Sequence, residues 1–237
     1  MSTIAAFFDL DGTLLAANSA RIWFERERGR GALRRRDALR ALAFLSAYKL
    51  GIVDVRRGLD MAAQALRDRD ERGLEEEMSA FYLERITPLR APGAFDAIRS
   101  HQAEGHRTVL LTTAPDYLAA AAMEDFRLDA RIATRFEVAA GRFTGRLLHP
   151  VPYHRGKVVL AERFAERHGI DLAKSFFYSD SVTDLPMLRR VGNPRVVNPD
   201  PRLRRIVQRE ALPLLDWGRP ESLLDETLGR KIFALIR

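Results

Sequence analysis

Two acidic motifs carry the most visible chemistry in this sequence. Asp9-Leu10-Asp11-Gly12-Thr13 follows a short apolar run, Ile4–Phe8, and Asp180-Ser181-Val182-Thr183-Asp184 follows a second one, Ser175–Tyr178. Alternation in an extended chain puts Asp9 and Asp11 on the same side. A calcium loop is a poor fit, because Gly12 is misplaced for it and no Glu stands at its twelfth position. Helix capping by Asp180 or Ser181 would account for part of the second motif. It does not account for two acidic pairs at the ends of two strands. Carboxylates gathered in one place repel unless a cation intervenes, and oxygen ligands without Cys or a His cluster favour Mg²⁺.

Two more residues belong beside these pairs. Thr112 follows the apolar run Val109–Leu111, where its hydroxyl and amide could grip an anion or cap the next helix. Lys157 opens a helical stretch after Arg155-Gly156, in a chain with 4 Lys against 35 Arg. A compact ammonium suits a phosphate or a carboxylate cluster, although a helix start is also an ordinary place for a solvated Lys. Each signal alone is modest, and their order along the chain makes them one candidate site.

The elements that must position these residues alternate. Apolar strands at 4–8, 108–111, 175–178 and 195–198, with a weaker one near 132–138, are separated by helical stretches near 95–104, 117–126, 156–168 and 185–191. Strand–helix alternation predicts an α/β fold, a doubly wound parallel sheet with helices on both faces. Ligands of such sheets gather at the carboxyl ends of the strands, where both acidic pairs stand. Residues 16–87 break the alternation. Leu39, Leu42 and Leu45 share one helical face, as do Leu74, Met78, Phe81 and Tyr82, so this stretch reads as a helical insert that ends at Pro88 and Pro92-Gly93. The core is then residues 1–15 with 88–237. An amphipathic helix over Glu221–Arg237 should pack on it, and Gly141–Gly145 reads as a hairpin turn.

Composition removes other classes of function. With 46% hydrophobic and 30% charged residues, the 237-residue chain can bury a sizeable core, which excludes general disorder. There is no Cys, hence no disulfide, thiolate metal site or Cys nucleophile. No run approaches the ~18 apolar residues of a membrane span. The start lacks a basic leader region, so a cytoplasmic protein is expected. The net charge of +7 is concentrated in residues 20–60, which carry a net +6, with seven Arg in Arg26–Arg40. That run lacks interleaved aromatics and is interrupted by Glu27 and Asp37, so it reads as a solvated face, not a nucleic-acid surface. A phosphate-binding P-loop around Gly156-Lys157 is broken by Val151 and Val158. None of His101, His106, His149, His154 and His168 has ligand-like spacing, so all five read as surface or structural.

The order of DLDGT, a strand ending at Thr112, Lys157 and SDSVTD resembles the four motifs of the haloacid dehalogenase superfamily. The resemblance covers essentially the whole chain, and the helical insert falls at that superfamily's first cap position. YSDSVTDLPML and VVNPDPRL are similar to the phosphoserine-phosphatase-like branch, subfamily IB. The resemblance implies a Mg²⁺-dependent phosphomonoesterase. Asp9 would be the nucleophile, and Asp11 the general acid and then base. Asp9, the Asp11 carbonyl and Asp180 would hold Mg²⁺, with Asp184 completing or orienting that shell. Thr112 and Lys157, with Gly12, would hold the phosphoryl group. A dehalogenase lacks the second acid, so Asp11 favours phosphate chemistry.

The cap would choose the substrate. Phosphoserine phosphatases tend to carry a Glu where this chain has Asn18, which weakens phosphoserine as the substrate. Other members of the branch act on histidinol phosphate or on lysophospholipid phosphates. Asn18, Arg56 and Arg57 are candidate substrate contacts in the cap. A phosphotransferase and a non-catalytic binding protein using the basic cap are the competing expectations, and the sequence leaves the oligomeric state open.

Overall fold

The computed structural model describes residues 3–30 and 55–220. The Leu39, Leu42 and Leu45 face, the Arg-rich run beyond Arg30 and the helix expected over Glu221–Arg237 lie outside the described residues. From the amino end the chain forms β1 (Ala5–Phe8), α1 (Ser19–Gly29), α2 (Val55–Ala65) and α3 (Glu71–Phe81). α3 runs on into a π-helical turn, Tyr82–Ile86. Then come α4 (Ala94–Ala103), β2 (Arg107–Pro115), α5 (Asp116–Asp125), β3 (Ala130–Thr134) and the pair β4 (Phe136–Ala139) and β5 (Arg142–Leu147). The remainder is α6 (Arg155–His168), β6 (Phe176–Ser179), a short α7 (Leu185–Leu188), β7 (Asn193–Val197), α8 (Pro201–Glu210) and β8 (Leu214–Leu215).

Six strands form one sheet in the order β3-β2-β1-β6-β7-β8, and every pairing is parallel. β1 must be central because all four of its residues are buried and feed both faces. Phe8 enters a core with Ile98 of α4 and Leu118 and Ala122 of α5, and it stacks on Tyr178 at 4.8 Å. Phe7 enters the opposite core with Phe164 of α6, Met187 of α7 and Leu203 of α8. Helices on both faces make the sheet doubly wound, as the alternation predicts. From β1 the chain steps outward to β2 and β3, and from β6 outward to β7 and β8. The reversal opens a crevice at the carboxyl ends of β1 and β6.

Two local expectations change. The stretch 132–138 is two strands, not one: β3 stays in the main sheet, and β4 leaves it after Arg135 to pair with β5. The departure lets Phe136 meet Phe143 edge-on at 6.0 Å and join a core with Leu74 and Phe81 of the insert. The hairpin turn is also tighter than Gly141–Gly145. Ala140 and Gly141 turn the chain with φ of 50° and 74°, the left-handed pair that suits a two-residue turn. Phe143, 1% exposed, is held in the strand by its burial.

The insert is fastened to this hairpin through backbone bonds. Asp68 N–H donates to the Phe143 carbonyl at 2.9 Å, Phe143 N–H to the Arg69 carbonyl at 3.0 Å, and Glu71 N–H to the Gly141 carbonyl at 2.9 Å. Among the described residues no helix is long and apolar enough to cross a membrane.

Candidate active site

Asp9 is the first residue beyond β1, and Asp180 the first beyond β6. The chain at Asp9 stays tied to β6 by a 3.0 Å bond from its N–H to the Tyr178 carbonyl. Gly12 then turns with φ of 79°, and a Cβ there would lie 2.2 Å from Asp180 Oδ2. Only glycine lets the first acidic loop come this close to the second. Capping after β6 falls to Ser181, whose hydroxyl accepts from Thr183 N–H at 3.3 Å. Asp180 is thereby left to the crevice, where it accepts from the Thr13 hydroxyl at 3.4 Å.

Lys157 reaches the same place from the opposite side. It stands on the first turn of α6, 2% exposed, and its ammonium donates to Asp9 Oδ1 at 2.8 Å and to Asp184 Oδ2 at 2.6 Å. The helix can enter this closely because Gly156 has no side chain; a Cβ there would lie 2.0 Å from the Val151 carbonyl oxygen. Ser179 Oγ donates to the same Asp184 oxygen at 2.8 Å, which fixes that carboxylate behind Lys157. Lys157 is therefore a buried bridge between two carboxylates and not a solvated helix-start residue.

Asp11 faces another way. Its carboxylate accepts from Ser19 N–H at 2.7 Å and from Ser19 Oγ at 3.1 Å. Extended alternation alone does not describe this pair, because the chain turns after Asp9 and Ser19 at the start of α1 claims Asp11. Thr112 lies inside β2, not after it, since the strand continues to Pro115. Register pairs Leu110 with Phe8, so Thr112 is beside the loop that follows β1. Its oxygen accepts from Ala114 N–H at 3.1 Å. Thr113 is committed elsewhere, donating to the Pro152 carbonyl at 2.8 Å.

The charges explain what this arrangement can hold. Burial, then the Asp184 charge acting against the help of Lys157, raises Asp9 to about 7. Asp180 is pushed well above the usual carboxylate range by burial and by Asp9 and Asp184. Burial raises Asp11, while the two Ser19 donors pull the other way. Burial works to lower the Lys157 ammonium, but Asp184 and Asp9 together outweigh it and hold it above its ordinary value. Four carboxylates around one ammonium leave an excess of negative charge on oxygen donors alone, a set that fits Mg²⁺.

The same residues lie within a stretch that matches a known family. Residues 6–189 match the family described as haloacid dehalogenase-like hydrolase. The chain belongs to that family. Among its haloacid dehalogenase-like relatives, a phosphoserine phosphatase of Mycobacterium tuberculosis is 31% identical over 98% of this chain and 80% of its own length. A histidinol-phosphatase of Neisseria meningitidis is 29% identical over 90% of this chain and 98% of its own. A solved protein of unknown function from Bordetella pertussis superimposes with a TM-score of 0.83, at 30% identity, over 92% of this chain and all of its own. The chain is an enzyme of the family's phosphatase kind, a group that generally uses Mg²⁺.

The cap candidates are not part of the carboxylate cluster. Asn18 caps α1, accepting from Arg21 N–H at 2.9 Å, which occupies its side-chain oxygen. Arg56 and Arg57 are exposed on the first turn of α2, the helix that packs on β5. Sequence reasoning passed over Ser19, Thr13 and Ser179, the hydroxyls that orient Asp11, Asp180 and Asp184. Ser19 could have been noticed beside a capping Asn at a helix start. Its link to Asp11 exists only once the turn after β1 has formed.

Proposed function

We propose that this phosphatase is a Mg²⁺-dependent phosphomonoesterase that works through an aspartyl phosphate on Asp9. Its substrate would be a small phosphorylated metabolite of the phosphoserine or histidinol-phosphate type, and the names of the relatives support that class. The observation that carries the reading is the buried bridge from Lys157 to Asp9 and Asp184, beside Asp180 over Gly12. Residues 1–15 and 88–237 would form the catalytic core, and 16–87 the cap that selects the substrate.

An Asp9 carboxylate oxygen attacks phosphorus as the ester P–O bond breaks. Asp11 gives its proton to the departing alkoxide, then takes one from the water that cleaves the acyl phosphate. Lys157 holds Asp9 in line, and its charge offsets that of the phosphoryl oxygens as they crowd against the carboxylates. The Thr112 hydroxyl and the open backbone at Gly12 leave room and donors for the phosphoryl group. Asp9, the Asp11 carbonyl and Asp180 would hold Mg²⁺, with Asp184 orienting from behind. The ion supplies neutralisation of negative charge on the transferring group.

Phosphate release from a panel of monoesters tests the reading. One substrate should stand well above the others with Mg²⁺, and activity should vanish reversibly in excess EDTA; full activity in EDTA overturns it. Asp11→Asn should slow alkyl phosphates by about 10²- to 10⁴-fold. It should slow the burst of p-nitrophenol that accompanies aspartyl-phosphate formation far less, because that leaving group needs no proton, whereas the later hydrolysis is slowed for every substrate. An equal loss on both would remove Asp11 from the acid role.

The metal assignment has a test that does not use activity. Asp9 and Asp180 bind their protons more tightly folded than unfolded, where the reference is 3.8. Metal-free protein should therefore lose stability as pH rises from about 4 through 7. Mg²⁺ binds the ionised carboxylates, so its addition should raise Tm more at pH 8 than at pH 5. Equal shifts at both pH values would place the ion elsewhere.

A further inference from the structure

At the end of β2 opposite Thr112, the turn between α4 and β2 brings together three side chains that phosphoryl transfer does not use. Gly105, with φ of 71°, ends the helix. Its N–H donates to the Gln102 carbonyl at 3.1 Å, and His106 N–H donates to the His101 carbonyl at 2.9 Å. These two bonds define a helix stop in which the side chains at 101 and 106 necessarily meet, commonly as an apolar pair. Here both are imidazoles. Their Nδ1 atoms are 2.9 Å apart, and Glu104 Oε2 is 3.7 Å from His106 Nδ1. One donor atom from each of the three lies within 4.8 Å of the others.

From this geometry we propose a second cation site, for Zn²⁺ or a similar transition metal, formed by His101 Nδ1, His106 Nδ1 and a Glu104 carboxylate oxygen. Nitrogens bound ~2.05 Å from a tetrahedral zinc ion stand about 3.3 Å apart, so only a small adjustment is needed. Two imidazoles and a carboxylate suit zinc better than Mg²⁺. His101 is held as metal-binding histidines usually are. Its other nitrogen, Nε2, lies 2.9 Å from the Tyr178 hydroxyl, which orients the ring and turns Nδ1 toward His106. Phe176 packs against both rings, at 4.6 and 5.5 Å. Arg195, whose guanidinium lies 5.2 Å over Phe176, and Glu104 act on His101 with opposite signs. Glu104 is exposed, so an ion can enter from solvent and keep water in a fourth position.

The site stands at the amino end of β2. Thr112 is six residues further along that strand, roughly 20 Å away. Zinc there would clamp the end of α4 to the start of β2 without touching the catalytic groups. The 2.9 Å contact between the two Nδ1 atoms has room for one bridging proton, whose place the ion would take.

Tag-free full chain, saturated with Mg²⁺ to occupy the carboxylate site, would be titrated with Co²⁺ and then Zn²⁺. The expected result is one equivalent of Co²⁺ with the intense visible bands of a nitrogen-bound, low-coordinate ion, displaced by Zn²⁺. Glu104→Gln and His106→Ala each remove a direct ligand and should weaken Zn²⁺ by at least the roughly 10- to 100-fold that loss of an outer-shell partner costs. Glu104 is exposed, so its variant folds even if replacement of His106 does not. No binding beyond the Mg²⁺ site, or binding that Glu104→Gln leaves unchanged, overturns the proposal.

Discussion

Asp9→Asn lowers turnover by roughly 10⁴-fold or more, on every substrate and at every Mg²⁺ concentration. An amide oxygen is a poor nucleophile, and the carboxylate it replaces is the group that Lys157 holds at 2.8 Å. The same substitution should not harm the fold. Asp9 is buried among Asp11, Asp180 and Asp184, and burial with Asp184 raises it to about 7, so its charge is held at a cost. Removing that charge relieves repulsion, while Lys157 keeps its 2.6 Å bond to Asp184. Metal-free Asp9→Asn should melt at or above the wild-type temperature at pH 8, the expected sign where a site has been kept strained for function. A variant that is inactive because it is unfolded would contradict this account, and so would one that retains more than about 1% of wild-type turnover.

Lys157→Met is expected to harm both activity and stability. Methionine fills much of the same space but leaves Asp9 and Asp184 without their shared counter-charge. Breaking a buried pair by removing one partner costs about 3–5 kcal/mol, since the carboxylates left behind are uncompensated. Catalysis should fall by about 10²- to 10³-fold, the scale of losing one charged donor at a developing anion. Lys157→Arg should rescue neither property. The site is 2% exposed and fitted to a compact ammonium, and a planar guanidinium has no room there. The stability loss should shrink at low pH, where the carboxylates protonate, and with added Mg²⁺. A loss in melting temperature that ignores both conditions would mean that Lys157 acts through packing and not through charge.

These two variants share one cause, a negative cluster that the fold assembles and that cations make tolerable. Its members were legible in the sequence because each is anchored to a strand end, and strand ends can be read from short apolar runs. β1 and β6 are fully or largely buried, so Phe7-Phe8 and Phe177-Tyr178 had no alternative to a strand interior. What followed them was thereby committed to the crevice. Lys157 was readable for a different reason, as a rare Lys in an Arg-rich chain, but nothing local distinguished a buried bridge from a solvated helix start.

The sequence by itself determined the doubly wound parallel sheet, and it singled out Asp9, Asp11, Thr112, Lys157, Asp180 and Asp184 as candidates whose order resembles the four motifs of one superfamily. Apolar periodicity is a local property, and it suffices for the strands and helices. Only the tertiary structure decided which partner each side chain takes. Asp11 belongs to Ser19, Lys157 spans Asp9 and Asp184, Asn18 is spent on a helix cap, and the stretch 132–138 divides so that Phe136 can pack on Phe143. The histidines show the same division. Their spacing carried no message, because 101 and 106 meet only through a left-handed glycine that ends one helix and starts one strand. Pairing of this kind is set by distance in space and by competition for donors, and neither quantity exists until the chain has folded.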